Sequence, residues 1–267
     1  MRPARSRTAH PGRLPAAILL VALSSAAYSI EAFNYTVSIA NFNRKIYSET
    51  TSRFRLTSSD QDFTLIGTGS QSITSSSLID GKRTIEIRTG AVQAVAADPG
   101  DLSAYLADTR FLNLSSPGIA GAAERLRGSP DPLKATEDFV SRHITDKELG
   151  IPIIPADQIY RMRRGDCTEH SVLAVALLRK QGVPARAVVG MYLAATFMGK
   201  RDVFVYHMWV EAFYKGRWRL VDAANPSAKG SNRYIAFAGH SLKSETPLSY
   251  LRAVSAIQDL SVAYLGG

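Results

Sequence analysis

The stretch from residue 168 to residue 181 constrains the fold most, because it is apolar on nearly every face of a helix. A helix of this kind must be covered by other elements rather than lie on a surface. Gly182 is a suitable terminator, and Pro184 prevents the helix from continuing. The sequence therefore predicts a buried helix over Thr168–Gln181. Its apolar residues include Val172, Leu173, Val175, Ala176, Leu177 and Leu178.

Alternating apolar and polar residues predict a set of strands after this helix. A turn at Lys215-Gly216 predicts a hairpin, and Ala194–Asp202, which contains Gly199, is expected to be a loop. The predicted strands are Ala185–Tyr192, Val203–Tyr214, Arg217–Ala223, Asn232–Gly239 and Leu260–Leu265, with a further helix near Pro247–Ile257.

Residues 30–95 are predicted to be a β-rich N-terminal region without chemistry of its own. Candidate strands are Phe33–Ile39, Phe63–Gly67 and Thr84–Arg88, the last following a turn signal at Asp80-Gly81-Lys82. The polar run Ser70–Ser77 is expected to be a loop.

Residues 96–267 are predicted to form the main domain, which begins with helices. Helical spacing of apolar residues indicates helices over Ser116–Arg127 and Asp131–Ile144, the second capped by Asp131. The prolines of Ile151–Pro155 predict a connector, and Ala156–Arg161 is expected to add one short helical turn.

The first 29 residues have the pattern of an export signal. They contain four arginines and no acidic residue, and the arginines are followed by a short apolar run and then small residues. We therefore expect a periplasmic or secreted protein, the alternative being an uncleaved N-terminal anchor as the sole contact with a membrane. Without these arginines the net charge falls from +9 to +5, leaving 28 basic against 23 acidic residues. This balance, without a basic block that carries aromatic residues, does not favour nucleic-acid binding.

Cys167 is the only cysteine of the chain, so no internal disulfide can form and the thiol is either inert or used. Asp166 before it is a natural helix cap, and Glu169 completes the pattern of a capping box. Cys167 is therefore expected at the first helical position, where unpaired N–H groups and the helix dipole favour a thiolate. The two carboxylates oppose this effect, so a neighbouring cation is required.

The hairpin that follows supplies a histidine and an aspartate. If Lys215-Gly216 is a two-residue turn, Trp209 lies opposite Asp222, and His207 becomes its diagonal neighbour on the same face. Asp222 could then hold the imidazole in one tautomer and leave the other ring nitrogen for Cys167. A three-residue turn would break this arrangement.

Other interpretations of these residues stay open. A histidine in a strand is often structural, and Asp222 could end a strand and begin a turn. Trp209 is a weak candidate for substrate binding, although it and Trp218 are equally explained by packing. His170 lies on a nearby face of the helix and competes with His207 as the base. No metal site is expected, because Cys167, Glu169 and His170 have no fourth ligand.

Residues 165–226 resemble the transglutaminase-like superfamily. The resemblance lies in Gly165–His170, Gly182–Arg186, His207–Glu211 and Trp218–Asp222, in the order and spacing of the family's motif blocks. Met208 stands where the family often has alanine, and the ending after Asp222 is unusual. The resemblance implies an α+β, papain-like fold in which the buried helix carrying Cys167 packs on an antiparallel sheet. It also implies a Cys-His-Asp triad of Cys167 as nucleophile, His207 as general base and acid, and Asp222 as the orienting carboxylate.

We therefore expect an exported thiol enzyme that cleaves or transfers an amide or peptide acyl group without a cofactor, and that acts on a protein or peptide. Hydrolysis is slightly favoured over transamidation, because no separate substrate module is evident. One alternative is a catalytically degenerate core that acts as a binding module of the cell envelope. The other is acyl transfer from a thioester donor.

Overall fold

The computed structural model describes residues 35–91, 101–148, 153–228, 230–243 and 259–267. The predicted export signal and the predicted helix near Pro247–Ile257 lie outside these ranges. All described residues belong to one unit, which spans 34–267.

Four α-helices precede the central strands in the described part of the chain. They are α1 (Pro117–Leu126), α2 (Pro132–His143), α3 (Ala156–Met162) and α4 (Cys167–Lys180). Short 3-10 turns lie at Arg44–Tyr47, Leu102–Tyr105 and Ser231–Arg233. The four predicted helical stretches in this region are confirmed, and Asp131 caps α2 through the backbone N–H groups of Leu133 and Lys134. No helix in the described ranges combines the length and hydropathy needed to cross a bilayer.

The described residues contain nine strands: β1 (Thr36–Ala40), β2 (Thr51–Ser58), β3 (Gln71–Ile79), β4 (Lys82–Gly90), β5 (Ala185–Phe197), β6 (Lys200–Tyr214), β7 (Arg217–Val221), β8 (Tyr234–His240) and β9 (Leu260–Gly266). They join one sheet in the order β3-β4-β2-β9-β1-β6-β5-β8, with β7 paired to β6. All pairs are antiparallel except β1 with β9. Strands from residues 30–95 and from residues 96–267 thus share a sheet, because β1 pairs with β6.

Helix α4 is the centre of the core, as its composition predicts. Every residue from Thr168 to Arg179 is buried, because α1, α2 and α3 cover one side of the helix and β5 and β6 cover the other. Gly182 takes a left-handed conformation with φ +80° directly after the helix, which a side chain would disfavour. The fold is therefore the α+β arrangement of a buried helix against a mostly antiparallel sheet.

Three local predictions are wrong. Ala194–Asp202 is not a loop, because β5 and β6 extend to a two-residue turn at Met198-Gly199. Ser70–Ser77 is not a loop either, since it forms most of β3, an edge strand whose exposed side chains tolerate polar residues. Phe63–Gly67 is not a strand; Phe63 is buried by an edge-to-face contact with Phe237 rather than through strand pairing.

Candidate active site

Cys167 is the first residue of α4, and its thiol is partly exposed. The predicted capping box is present: Thr168 N–H donates to Asp166 Oδ1 at 2.8 Å, and Asp166 N–H donates to Glu169 Oε2 at 2.8 Å. Gly165 brings the chain into this cap with φ +150°, where a Cβ would collide with the Glu169 side chain. The local sequence thus fixes the thiol at the amino end of a buried helix.

His207 and Asp222 meet across the hairpin of β6 and β7. Tyr214 pairs with Arg217 and Val210 with Val221, which is the register of a two-residue turn at Lys215-Gly216. Asp222 follows β7 directly, and its Oδ2 lies 2.7 Å from His207 Nε2. The predicted diagonal contact is therefore present.

The thiol of Cys167 lies close enough to the imidazole of His207 to contribute to the pKa of the ring. Because Asp222 occupies Nε2, Nδ1 is the ring nitrogen left for the thiol. Burial alone would lower the pKa of His207, but the charge and hydrogen bond of Asp222, together with Cys167, raise it to about 10. His207 is consequently an imidazolium at neutral pH, and a cation beside a thiol favours the thiolate. This is the cation that the sequence analysis required.

Asp222 is buried within a complete set of donors. Its Oδ2 also accepts from the Tyr234 hydroxyl at 2.8 Å, and its Oδ1 accepts from the backbone N–H groups of Ala224 and Asn225 at 3.2 and 3.1 Å. Burial would raise the pKa of Asp222, but His207, Tyr234 and the Asn225 amide hold it below its usual value. The carboxylate therefore stays charged at neutral pH.

Residues 120–223 match the family model of the transglutaminase-like superfamily. This segment is a transglutaminase-like core. The described architecture agrees with that assignment, since helices pack against a mostly antiparallel sheet and the two motif-bearing strands form one hairpin.

Solved structures with the same fold include a candidate cysteine protease from Cytophaga hutchinsonii, 17% identical over 87% of this chain and 83% of that chain, with a TM-score of 0.50. The periplasmic domain of TgpA from Pseudomonas aeruginosa is 18% identical over 72% of this chain and 76% of that chain, with a TM-score of 0.49. No curated protein matches the sequence significantly. At 17% identity the likeness to the Cytophaga hutchinsonii structure concerns the fold alone.

Glu169 of the transglutaminase-like core opposes a thiolate less than the sequence suggests. Its side chain is fully buried, and its Oε1 has no hydrogen-bond partner among the described residues. Burial raises the pKa of Glu169 to about 8, so the carboxyl is mostly protonated at neutral pH. One of the two charges that disfavour a thiolate is thereby reduced.

The alternative base, His170, makes other hydrogen bonds with both of its ring nitrogens. Its Nδ1 lies 2.6 Å from the carbonyl oxygen of Asp166, and its Nε2 lies 2.9 Å from Lys147 Nζ. Burial lowers the pKa of His170 to about 4, so the ring is neutral. Both ring nitrogens of His170 are engaged, which leaves His207 as the candidate base for the thiol.

The two tryptophans of the motif blocks lie in packed surroundings. Trp209 is 2% exposed and packs with Val188, Tyr234 and Ala236. Trp218 lies under the Arg186 guanidinium, 4.4 Å from the ring centroid. The packing alternative therefore describes both residues in this structure.

Sequence reasoning missed the residues that support the site from a distance along the chain. Tyr234, Lys147 and Glu137 are examples; Glu137 Oε1 accepts from the backbone N–H of Asp222 at 3.1 Å. No short motif connects them to Cys167, and their roles follow only from the packing of α2, β8 and the segment before α3. The described residues contain no group of three His, Cys, Asp or Glu arranged to hold a metal ion.

Proposed function

We propose that this protein is an exported thiol enzyme that hydrolyses an amide or peptide bond with Cys167, His207 and Asp222 as its catalytic residues. The observation that carries the proposal is the position of His207, whose Nε2 lies 2.7 Å from Asp222 Oδ2 and whose pKa is raised in part by the Cys167 thiol. Export is proposed from the arginine-rich, then apolar, first 29 residues.

The geometry supports a two-step acyl transfer. Cys167 Sγ attacks the substrate carbonyl carbon, and the π electrons of the carbonyl move to its oxygen. As the C–N bond breaks, the His207 imidazolium gives its Nδ1 proton to the departing nitrogen and leaves a thioester on Cys167. Neutral His207 then takes a proton from water, which attacks the thioester and releases the acid. Asp222 keeps the ring oriented and stabilises its positive form.

The activation of the thiol is tested by alkylation with iodoacetamide. At pH 6 a free thiol is only about 0.3% ionised. We expect Cys167 to react about 10- to 100-fold faster than free cysteine, because an ion pair with His207 keeps it ionised. Since Cys167 is the only cysteine, intact mass gives its rate directly.

His207→Gln should reduce this rate to that of a free thiol or below. His143→Gln is the matched control, because His143 lies on α2 with Nε2 2.7 Å from the carbonyl oxygen of Tyr160. An unreactive Cys167 in the wild type, or an unchanged rate in His207→Gln, would contradict the proposal and favour the binding-module alternative.

Hydrolysis and transamidation are separated by the acceptor. Peptides that carry a glutamine or an internal amide are incubated with the protein, with and without a fluorescent primary amine, and products are resolved by mass spectrometry. A free acid in both conditions supports hydrolysis, whereas an amine adduct that replaces the acid identifies a transamidase.

A further inference from the structure

Lys147 lies beside the helix that carries the thiol, with its Nζ 2.9 Å from His170 Nε2, although 20 positions separate it from Cys167 in the sequence. The segment that carries it is fixed against the entry to α4. Thr145 N–H and Asp146 N–H donate to the carbonyl oxygen of Arg163 at 3.1 and 3.3 Å, and Gly165 N–H donates to that of Asp146 at 3.0 Å. Lys147 is therefore held next to the residues that cap the helix.

The ammonium of Lys147 is oriented by His170. Because Nδ1–H of His170 donates to the Asp166 carbonyl at 2.6 Å, Nε2 of the neutral ring is an acceptor, and Lys147 Nζ donates to it at 2.9 Å. The buried ring of His170 is 0% exposed and belongs to α4 itself. The position of the cation is thus tied to the same helix as the nucleophile.

The same ammonium lies close enough to interact with the charges of Asp222, Cys167 and Asp166. An ammonium has three N–H donors, and His170 is its one hydrogen-bond partner among the described residues. Within the described part of the chain, two N–H groups of Lys147 thus have no acceptor and can be offered to a group that arrives at the thiol.

Attack on a carbonyl creates such a group, a negatively charged oxygen one bond away from the carbon that binds Sγ. Sites that stabilise this oxygen combine preorganised donors at about 2.7–3.1 Å. Cys167 provides one donor, because the backbone N–H of the first helical residue has no partner within the helix. Because such sites combine several donors, a second hydrogen-bond donor to the oxygen is expected.

We infer that Lys147 is a catalytic residue that binds the developing oxyanion together with the backbone N–H of Cys167. The inference rests on the proposed function and adds stabilisation of the oxyanion, a role that Cys167 Sγ, His207 and Asp222 do not fill. In the acylation step the carbonyl π electrons move to oxygen, Lys147 and the Cys167 amide donate hydrogen bonds to it, and no proton is transferred from either donor. The hydrogen bonds weaken again when the carbonyl re-forms and the leaving group departs.

Two reagents separate this role from thiol activation. p-Nitrophenyl acetate acylates a thiolate through a tetrahedral oxyanion, and the burst of p-nitrophenolate reports the rate. Iodoacetamide alkylates the same sulfur by displacement at a saturated carbon and forms no oxyanion. For each protein both rates are followed to the plateau of their pH profiles, where the thiol is fully ionised, so a change in ionisation does not affect the comparison.

We expect Lys147→Met to lower the plateau acylation rate by about 10- to 1,000-fold, since removal of one oxyanion donor has effects up to this size. The plateau alkylation rate should change less than about threefold, since no donor is needed there. Lys180→Met is the control, because Lys180 lies at the other end of α4, about 20 Å away at 1.5 Å per residue. Thermal melts of all variants verify that they fold.

Equal losses in both reactions, or no loss in acylation, would overturn the inference. A wild-type Cys167 that alkylates no faster than free cysteine would instead contradict the proposed function. Rapid alkylation with acylation insensitive to Lys147→Met would leave the proposed function standing and remove only the role of Lys147.

Discussion

The hydroxyl of Tyr234 offers a quantitative test of how the site is held. It donates to Asp222 Oδ2 at 2.8 Å, on the same oxygen that lies 2.7 Å from His207 Nε2. Both Asp222 and Tyr234 are almost fully buried, at 2% and 3% exposure. Tyr234→Phe therefore removes one hydrogen bond to a buried carboxylate and leaves the ring packing in place.

A hydrogen bond to a charged group contributes about 1.5–3 kcal/mol to the free energy of unfolding. We expect Tyr234→Phe to lose this amount, because no solvent is available to replace the hydroxyl. For a chain of this size about 2–4 °C accompanies each kcal/mol, so Tm should fall by about 3–12 °C. Urea unfolding at pH 7 gives the free energy, and calorimetry gives Tm.

Tyr192→Phe is the matched control. Its ring packs against that of Tyr234 with centroids 4.8 Å apart, and no hydrogen bond of its hydroxyl is present among the described residues. This variant should change the free energy of unfolding by less than about 0.5 kcal/mol. Equal effects of the two substitutions would refute the reasoning, as would an unchanged free energy in Tyr234→Phe.

Three further predictions concern pH and packing. Burial raises the pKa of Glu169 from 4.5 to about 8, so its protonation stabilises the fold fully below pH 4.5, and this stabilisation is lost as the pH rises to 8. In Glu169→Gln the urea midpoint should therefore fall less over this pH range, and a dependence on pH equal to that of the wild type would contradict the prediction. The raised pKa of His207 means that its protonation stabilises the fold fully below pH 6.5, and this stabilisation is lost as the pH rises to about 10. The free energy of unfolding of His207→Gln should not show this loss, and its persistence in the variant would count against the ion pair. A Cβ at Gly190 would collide with the backbone of β8 and come within 2.9 Å of the Trp209 ring, so Gly190→Ala should lose about 2–3 kcal/mol of unfolding free energy. Gly67→Ala is the control, because the nearest atom to a Cβ there is 3.9 Å away. Equal denaturation midpoints of the two variants would disprove the clash.

The sequence predicts the parts of the site that depend on local rules. Helix capping places Cys167 at the start of α4, and strand alternation with a two-residue turn places Asp222 diagonal to His207. Both predictions are confirmed because each depends on residues near one another in the chain.

Contacts between distant segments were not predictable in the same way. Tyr234 reaches Asp222 only because β8 pairs with β5 and β5 with β6, an order that no local pattern encodes. The errors in the strands have a similar origin. Ser70–Ser77 forms a strand because β4 supplies a partner for its backbone, whereas Phe63 is buried without such a partner.

The position of β9 has a consequence for the order of folding. Residues 260–266 lie between β1 and β2 in the sheet, although they follow every other described strand in the chain. Helix α4, β5 and β6 follow one another in the chain and can pack early, whereas β1 and β2 cannot join one sheet until β9 takes its place between them. This closing step brings together strands from opposite ends of the described chain, so we expect it to be slow.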